Sequence, residues 1–263
     1  MKTLAKKSLG QHFLIDSQIL NKIADLGEIK SNDTVLEVGP GKGALTEKIL
    51  NKNPKKLIVV EKDKKLSTYL EKKFNNNIEV INDDILNYNQ QVYYDKRIII
   101  FGNLPYNIST QILTSWIKID NLNNFCKKFI LMFQKEVADR ILAEYNSKNY
   151  GRLSIISSWK LNIKKIIDIK PESFSPRPKI NSSLLIFVPK KNYYKINNPK
   201  ILEHITNIFF SQRRKMIKKP LKSLFKNYEK VSKELSLDLN LRPQNLNSNT
   251  YYKICSYYEK LLK

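Results

Sequence analysis

The sequence contains little cysteine and little acidic charge, and it has no long apolar run. The two cysteines, Cys126 and Cys255, are far apart and lack metal-ligand spacing, so neither a disulfide framework nor a metal site is expected. No apolar stretch approaches the ~20 residues that a membrane-spanning helix needs. The first residues are basic and polar and lack the apolar core of a secretory signal. We therefore expect a cytoplasmic protein without a metal and without membrane association.

The shortage of acidic residues leaves the chain strongly positive. Of its 263 residues, 47 are lysine or arginine and 24 are aspartate or glutamate, which gives a formal net charge of +23. Such an excess attracts polyanions and favours nucleic-acid binding. Most of the basic residues are lysines, and the codon bias of an AT-rich genome would produce the same excess. The few arginines are therefore the more informative cations, because their planar fork suits phosphate recognition.

Apolar runs that alternate with amphipathic stretches predict an α/β domain. Strands are predicted at residues 34–38, 57–60, 78–81, 98–101, 129–133, 163–169 and 183–188. Their continuous apolar character is typical of parallel strands that are buried on both faces. A further strand is predicted to begin within residues 150–154 and to end near Trp159.

The strand pattern stops after residue 189, where a stretch with proline and lysine marks a predicted domain boundary. We expect residues 1–189 to form one domain and residues 190–263 to form a second domain that is basic and all-helical. The helices of the second domain are predicted at 199–210, 213–225, 228–235 and 250–262.

Positive charge in the second domain is concentrated at Arg213, Arg214, Lys215, Lys218 and Lys222. We expect these side chains to contact RNA phosphates. Lys218, Lys222 and Lys226 recur at every fourth position and would share one helix face. Pro220 lies within the same segment and opposes a continuous helix. A solvated charged face is the alternative interpretation.

A polar turn follows the apolar run 98–101, at the point where open α/β sheets place their ligands. Asn103 offers an amide, Leu104 a backbone carbonyl and Tyr106 a flat aromatic face, while Pro105 ends the strand. Two acceptors beside an aromatic face suit an exocyclic amine on a planar ring. A strand-ending turn with a buried tyrosine is the alternative.

Residues after the first three strands suggest a nucleoside site. Gly39 and Gly41 would let the backbone approach a ligand, and a helix begins just after them. Their spacing matches neither a P-loop nor a nicotinamide fingerprint. Glu61 lies 22 residues after Gly39, at a strand end, where a carboxylate accepts hydrogen bonds from ribose hydroxyls. Asp83 or Asp84 could accept one from an adenine amine or could cap a helix.

Two aromatic residues outside these strands are harder to interpret. Phe174 lies in a proline-stiffened loop, which would lower the entropy lost when its ring is held against a ligand. A packing anchor is the alternative for Phe174. His12, taken alone, reads as an ordinary, partly buried imidazole.

Several of these stretches together resemble, in order, the motifs of the ribosomal RNA adenine N6,N6-dimethyltransferase family. The matching residues are 8–14, 37–41, 103–110, 134–137, 150–154, 174–179, 212–215 and 241–243. The resemblance implies a Rossmann-like S-adenosylmethionine-dependent methyltransferase sheet with a small C-terminal helical domain. It also implies methylation at N6 of two adjacent adenosines in a loop near the 3′ end of small-subunit (16S) rRNA, a role in small-subunit biogenesis, and a monomer that binds the small ribosomal subunit.

The resemblance also implies roles for individual residues. The cofactor S-adenosylmethionine would be bound by His12, Leu14, Gly39, Gly41, Glu61, Asp84 and Asn103. The catalytic residues would be Asn103, Leu104, Tyr106 and Phe174, with the rings of Tyr106 and Phe174 on either side of the target adenine. A common form of the family has Asn where this chain has His12, so the contact there is expected through backbone atoms.

Other functions share parts of the pattern. A large-subunit rRNA adenine methyltransferase of the macrolide-resistance type would have the same cofactor site, but the matches at 213–225 and 241–243 favour the small-subunit enzyme. A glutamine or DNA-adenine methyltransferase would carry a similar Asn-x-Pro-Tyr turn, and Phe174 with its proline loop argues against it. A non-catalytic RNA-binding assembly factor would keep the basic surface, yet it would have no need of the cofactor positions.

Overall fold

The structure is a computed structural model that describes residues 11–89, 93 and 96–262. The opening basic segment and the first three residues of the 8–14 motif lie outside the described residues. The strands are β1 (Phe13–Leu14), β2 (Thr34–Val38), β3 (Lys56–Val60), β4 (Glu79–Ile81), β5 (Ile98–Asn103), β6 (Cys126–Gln134), β7 (Leu161–Ile169), β8 (Phe174–Ser175) and β9 (Ser182–Pro189). The α-helices are α1 (Ser17–Leu26), α2 (Ala44–Leu50), α3 (Lys64–Phe74), α4 (Ser109–Ile117), α5 (Leu122–Phe125), α6 (Lys135–Ile141), α7 (Arg152–Lys160), α8 (Pro199–Ser211), α9 (Lys218–Leu224), α10 (Tyr228–Glu234) and α11 (Ser248–Leu261).

Packing divides the described residues into two compact units. The first contains the described residues up to Ala138 together with Asn162–Lys190, and the second contains Asp139–Leu161 and the residues from Lys191 onward. The predicted division at residue 189 came from the point where the strand pattern stops. The packing adds Asp139–Leu161 to the second unit, so the chain enters that unit twice.

Within the described residues of the first unit, one sheet has the strand order β4-β3-β2-β5-β6-β9-β7. Strands β2 to β6 are paired in parallel, and β9 is antiparallel to β6. The α/β fold predicted from the apolar runs is confirmed. These strands form because their side chains are buried on both faces, as in β5, where Ile98–Phe101 are almost completely inaccessible.

The strand order reverses between β2 and β5. The chain first builds β3 and β4 on one side of β2 and then crosses to form β5 on the other side. Val38 at the end of β2 is paired with Gly102 near the end of β5. Parallel sheets of this kind leave a crevice at the carboxyl ends of the strands where the order reverses. The fold therefore predicts a ligand site beside Val38 and Gly102.

Helix α7 corrects the strand predicted near Trp159. Residues Arg152–Lys160 are helical, and α7 contacts both α8 and α11 within the second unit. Its side chains are buried on most sides, including Ile155, Ile156 and Trp159. A helix that is apolar around most of its circumference lacks the one-sided pattern of an amphipathic helix, and β-branched residues then favour a strand interpretation.

Helix α9 corrects the prediction for residues 213–225. It begins only at Lys218, and Pro220 is its third residue. The first turn of a helix has no internal partner for its N–H groups, so proline is tolerated there. Lys218 and Lys222 remain one turn apart, but Lys226 lies beyond the end of α9. The predicted three-lysine face is therefore wrong at Lys226.

In the described part of the chain, no helix combines the length and the apolar character needed to cross a bilayer. The described residues also contain no cluster of three or more His, Cys, Asp or Glu side chains that is placed to hold a metal ion.

Replacing Gly43 with alanine should destabilise the protein, whereas the same change at Gly151 should not. Gly43 precedes α2 with φ of 76°, and an added Cβ would lie 2.5 Å from an atom of the Phe74 ring. Gly151 precedes α7 with an extended backbone, and the nearest atom to an added Cβ is 3.8 Å away. In urea titrations we expect Gly43→Ala to lower the free energy of unfolding by about 1–3 kcal/mol and Gly151→Ala to change it by less than about 0.5 kcal/mol. Equal effects of the two changes would contradict the described conformation at Gly43.

Candidate active site

A cavity of about 210 Å³ opens at the carboxyl ends of β2 to β5, beside the point where the strand order reverses. Its wall contains eight of the predicted site residues: His12, Gly39, Gly41, Glu61, Asp84, Asn103, Leu104 and Tyr106. These residues come from segments that are far apart in the sequence. The structure therefore brings most of the predicted cofactor and catalytic residues to one place.

Glu61 lies at the end of β3 and is 5% exposed. Its Oε2 accepts a hydrogen bond from the Gly41 N–H at 3.2 Å, and its Oε1 accepts one from the Asp63 N–H at 2.9 Å. Burial raises the pKa of Glu61, while these backbone donors act in the opposite direction. The carboxyl group is thus fixed in orientation by backbone N–H groups, and both oxygens retain further acceptor capacity.

The loop between β2 and α2 is held against the N-terminal segment. Gly41 has φ of 58°, and a Cβ added to it would lie 2.6 Å from the Phe13 ring. The Nζ of Lys42 lies 5.3 Å from the centroid of the same ring. Only a residue without a side chain fits at Gly41, because the Phe13 ring occupies the space that a Cβ would need.

Asp84 follows β4 and is an ionised acceptor in the wall of the cavity. Its Oδ2 accepts a hydrogen bond from Lys62 Nζ at 2.8 Å, and its Oδ1 accepts one from the Leu86 N–H at 3.1 Å. Partial burial acts to raise the pKa of Asp84, but the Lys62 and Leu86 donors outweigh it and lower the pKa. Asp83 accepts a bond from the Asp84 N–H at 2.7 Å, so both carboxylates also stabilise the turn.

Asn103, the last residue of β5, connects the central strand to the N-terminal segment. Its Nδ2 donates a hydrogen bond to the backbone carbonyl of His12 at 2.9 Å. This bond fixes the orientation of the amide and leaves Oδ1 as its acceptor atom. The next residue, Leu104, also lines the cavity, but it is 1% exposed, so very little of its surface is accessible there.

Tyr106 presents an aromatic ring that is held on two sides. Its hydroxyl lies 2.6 Å from the Ser182 Oγ at the start of β9. Its ring is stacked on the His12 imidazole, with ring centroids 5.8 Å apart and an angle of 26° between the planes. Burial raises the pKa of the Tyr106 hydroxyl, so the group is neutral at physiological pH. The ring is therefore a fixed, uncharged surface at the rim of the cavity.

Phe174 and Leu14 are the two predicted site residues of the first unit that do not line this cavity. Phe174 in β8 is paired with Leu14 in β1, and both side chains belong to the hydrophobic core, with Phe174 1% exposed. The ring stacked on Tyr106 is His12 and not Phe174. The structure thus matches the packing-anchor interpretation of Phe174, and a contact between its ring and a ligand stays a prediction that requires the ring to leave the core.

Arg213 is hydrogen-bonded within the second unit. Its Nε donates to Gln244 Oε1 at 2.9 Å, and one terminal nitrogen donates to the Lys148 carbonyl at 2.6 Å. These bonds connect three segments of the second unit and give Arg213 a structural role, while its contact with an RNA phosphate stays a prediction. The other predicted phosphate ligands are exposed: Arg214, Lys215, Lys218 and Lys222.

Several residues that support the site could not be identified from the sequence alone. Lys62 is hydrogen-bonded to Asp84, and Ser182 is hydrogen-bonded to Tyr106. Nothing in the sequence relates Ser182 to Tyr106, which lies 76 positions earlier. Glu37 in β2 belongs to the 37–41 motif, which by itself does not predict a buried carboxyl group. It is 2% exposed and its Oε2 accepts a hydrogen bond from Thr46 Oγ1 at 2.7 Å. Burial raises the pKa of Glu37 to about 8.

Comparison with known proteins places this geometry in context. The model of the family described as "Ribosomal RNA adenine dimethylase" matches residues 2–260. A curated protein from Pelagibacter ubique (strain HTCC1062), "Ribosomal RNA small subunit methyltransferase A", is 58% identical over 98% of each chain. A protein of the same description from Ehrlichia canis (strain Jake) is 41% identical over 95% of this chain and 96% of its own length.

Solved structures agree with these sequence relatives. A dimethyladenosine transferase from Plasmodium falciparum has a TM-score of 0.79 and 28% identity, over 95% of this chain and 98% of that one. A 23S rRNA methyltransferase, ErmE, has a TM-score of 0.67 at 20% identity, over 95% of this chain and 100% of that one. The second likeness shows a shared fold, which is that of methyltransferases.

Replacing Glu37 with glutamine should change how stability depends on pH. The pKa of Glu37 is about 8 in the folded protein and close to 4.5 in the unfolded chain. The contribution of this group to the free energy of unfolding is therefore fully present below pH 4.5 and is lost as the pH rises to about 8. Glutamine stays neutral and can still accept from Thr46. Between pH 5 and 8.5 we expect Glu37→Gln to gain roughly 2–5 kcal/mol of unfolding free energy relative to the wild type. A constant difference across this range would show that the pKa of Glu37 is not raised in the folded protein.

Alanine substitutions at Arg213 and Arg214 should separate structural from surface roles. Both remove one positive charge, but only Arg213 is hydrogen-bonded within the second unit by the contacts described above. We expect Arg213→Ala to lower the free energy of unfolding by about 1–3 kcal/mol and Arg214→Ala to change it by less than about 0.5 kcal/mol. Thermal unfolding of the two variants measures this, and equal midpoints would contradict the structural role of Arg213.

Proposed function

The chain belongs to the ribosomal RNA adenine dimethylase family, and from this premise we propose how it binds its methyl donor and its RNA. It is an rRNA adenine N6,N6-dimethyltransferase that forms N6,N6-dimethyladenosine in small-subunit (16S) rRNA. The proposed targets are two adjacent adenosines in a loop near the 3′ end of that RNA, modified during small-subunit biogenesis. The observation that carries the proposal is the convergence of Asn103, Tyr106, Glu61 and Asp84 on one cavity.

The proposed methyl donor is S-adenosylmethionine, which supplies an electrophilic methyl group when it is bound. The cavity fits its nucleoside part. Glu61 is a fixed acceptor suited to the two ribose hydroxyls, and Asp84 is an ionised acceptor suited to the adenine amine. Gly39 lines the cavity at the end of β2, where the lack of a side chain would let the donor approach the backbone. Gly41 also lines the cavity, and its N–H orients the Glu61 carboxyl group. Leu14 lines a second cavity beneath this loop and does not line the first one.

The target adenine is proposed to bind between the Asn-Leu-Pro-Tyr turn and the donor. Asn103 Oδ1 and the Leu104 carbonyl would accept the two N6 hydrogens, while the ring stacks on Tyr106. Both acceptors hold the amine so that its lone pair faces the methyl group, and this alignment is the main contribution of the protein to the rate. The adenine must leave its stack to enter the cavity, which favours a loop over a duplex as the target.

The second unit is proposed to follow the RNA backbone. Arg214, Lys215, Lys218 and Lys222 are exposed and would neutralise phosphates by charge, so binding should weaken as salt increases. The partner would be the small ribosomal subunit with its rRNA, which places the protein in the cytoplasm. We also propose that it acts as a monomer and without membrane contact.

Two alternatives predict different substrates. A macrolide-resistance type of enzyme would methylate large-subunit RNA. The solved 23S rRNA methyltransferase is only 20% identical to this chain, so the likeness shows the fold alone. A non-catalytic assembly factor would bind RNA without transferring methyl groups. The fixed orientation of the Asn103 amide and of the Glu61 carboxyl favours an enzyme, because a factor that only binds RNA has no use for this cavity.

Alanine at Asn103 should abolish most methyl transfer. We expect purified protein to transfer tritiated methyl groups from S-adenosylmethionine to immature small subunits, with N6,N6-dimethyladenosine found after nuclease digestion. Asn103→Ala should lower the rate by about 10²–10³-fold, because it removes an acceptor that acts on the reacting amine. Asn51→Ala, at an exposed asparagine after α2, is the matched control and should leave the rate unchanged. Transfer to large-subunit RNA instead, or binding without transfer, would overturn the proposed substrate or the proposed activity respectively.

A further inference from the structure

The Tyr106 hydroxyl is hydrogen-bonded to a serine that belongs to a different strand. Ser182 is the first residue of β9, is completely buried, and is paired with Gln134 at the end of β6. Its Oγ lies 2.6 Å from the hydroxyl oxygen of Tyr106. The sheet therefore fixes the position of Ser182 independently of the turn that carries Tyr106.

The turn restrains the backbone of Tyr106 more than its ring. Ser109 Oγ donates a hydrogen bond to the Tyr106 carbonyl at 3.2 Å, but the side chain has two further torsions that this bond does not set. Two contacts of defined geometry act on the ring itself, namely the stacking on His12 and the hydrogen bond to Ser182. The hydrogen bond acts at the hydroxyl, which is the part of the side chain farthest from the backbone. A restraint at that point limits the movement of the whole ring.

The position of this ring matters because the target adenine is proposed to stack on it. The imidazole of His12 covers one face of the Tyr106 ring and leaves the other face for the adenine. A stacked base follows the ring, so a displaced ring would move the amine away from the methyl group. Methyl transfer needs the reacting atoms in line, and a displacement of about 1 Å can slow such a reaction by ~10²-fold. A ring that is held before the RNA binds also loses less conformational entropy on stacking.

We propose that Ser182 is a positioning residue that holds the Tyr106 ring where the target adenine stacks, and that it thereby aligns the adenine amine with the methyl donor. This inference rests on the proposed function of the cavity. Ser182 acts through Tyr106 and not on the RNA, because its own surface is inaccessible. Loss of its hydroxyl should therefore slow the transfer step. The affinity for RNA, to which phosphate contacts contribute most, should change little.

The next residue of β9 provides a matched control. Ser183 is as buried as Ser182, and its Oγ donates a hydrogen bond to Asp168 Oδ1 at 2.6 Å. Neither Ser183 nor Asp168 lines the cavity. Ser182→Ala and Ser183→Ala each remove one buried hydroxyl and one hydrogen bond of the same length, but only Ser182→Ala releases Tyr106. The two variants therefore separate the positioning of the ring from a general loss of stability.

The test is single-turnover methyl transfer to immature small subunits, with S-adenosylmethionine and subunits at saturating concentrations. Ser182→Ala should lower the rate constant by about tenfold, less than the ~10²-fold cost of a 1 Å displacement, because the stacking on His12 remains. Ser183→Ala should transfer methyl groups at the wild-type rate. The Kd for the subunits, measured by filter binding, should stay within about twofold of the wild type in both variants. Equal rate constants for the two variants would overturn the inference.

A second variant keeps the test independent of how well Ser182→Ala folds. Tyr106→Phe removes the same hydrogen bond from its other end and retains the aromatic ring. It should also be about tenfold slower, and adding Ser182→Ala to it should cause no further loss, because both changes remove one interaction. A wild-type rate for Tyr106→Phe, or losses that multiply in the double variant, would contradict the positioning role. Absence of transfer by the wild type would instead overturn the proposed function.

Discussion

The hydrogen bond from Asn103 Nδ2 to the His12 carbonyl is the interaction on which the site depends. It joins the end of the central strand to a segment 91 residues earlier in the chain. Through this bond the amide orientation, the position of the His12 ring and the wall beside Tyr106 are set together. A single hydrogen bond that is exposed to water contributes little to stability. This one is partly buried, and partial burial strengthens a hydrogen bond.

The electrostatics of the cavity contrast with those of the chain as a whole. The sequence carries a net charge of +23, yet Glu61 is oriented by backbone N–H groups and not by a cation. Asp84 is the acidic residue of the cavity that is paired with a lysine, and its pKa is lowered accordingly. Backbone donors fix an acidic group without adding positive charge near the proposed methyl donor, which is itself positively charged. The cavity is therefore suited to a cation even though the protein surface is suited to an anion.

The sequence predicted the features that depend on local order along the chain. The strand-end positions of Glu61, Asp84 and Asn103 follow from apolar runs and their spacing, and the sheet places them together without further information. Contacts between distant segments were not predictable in this way. The burial of Phe174 against Leu14 and the structural role of Arg213 depend on partners that no spacing indicates. The sequence of α7 predicts a strand and not a helix, because a segment that is buried on most sides shows no helical periodicity.

The interleaving of the two units has a consequence for synthesis on the ribosome. Strands β7 and β9, which complete the sheet, follow Asp139–Leu161, which belong to the second unit. A nascent chain that has emerged only to Ala138 lacks both of these strands and the β8 partner of β1. Because domains generally fold as their residues become available, the first unit cannot finish before part of the second has been translated. The sheet that carries the cavity is thus completed late in translation.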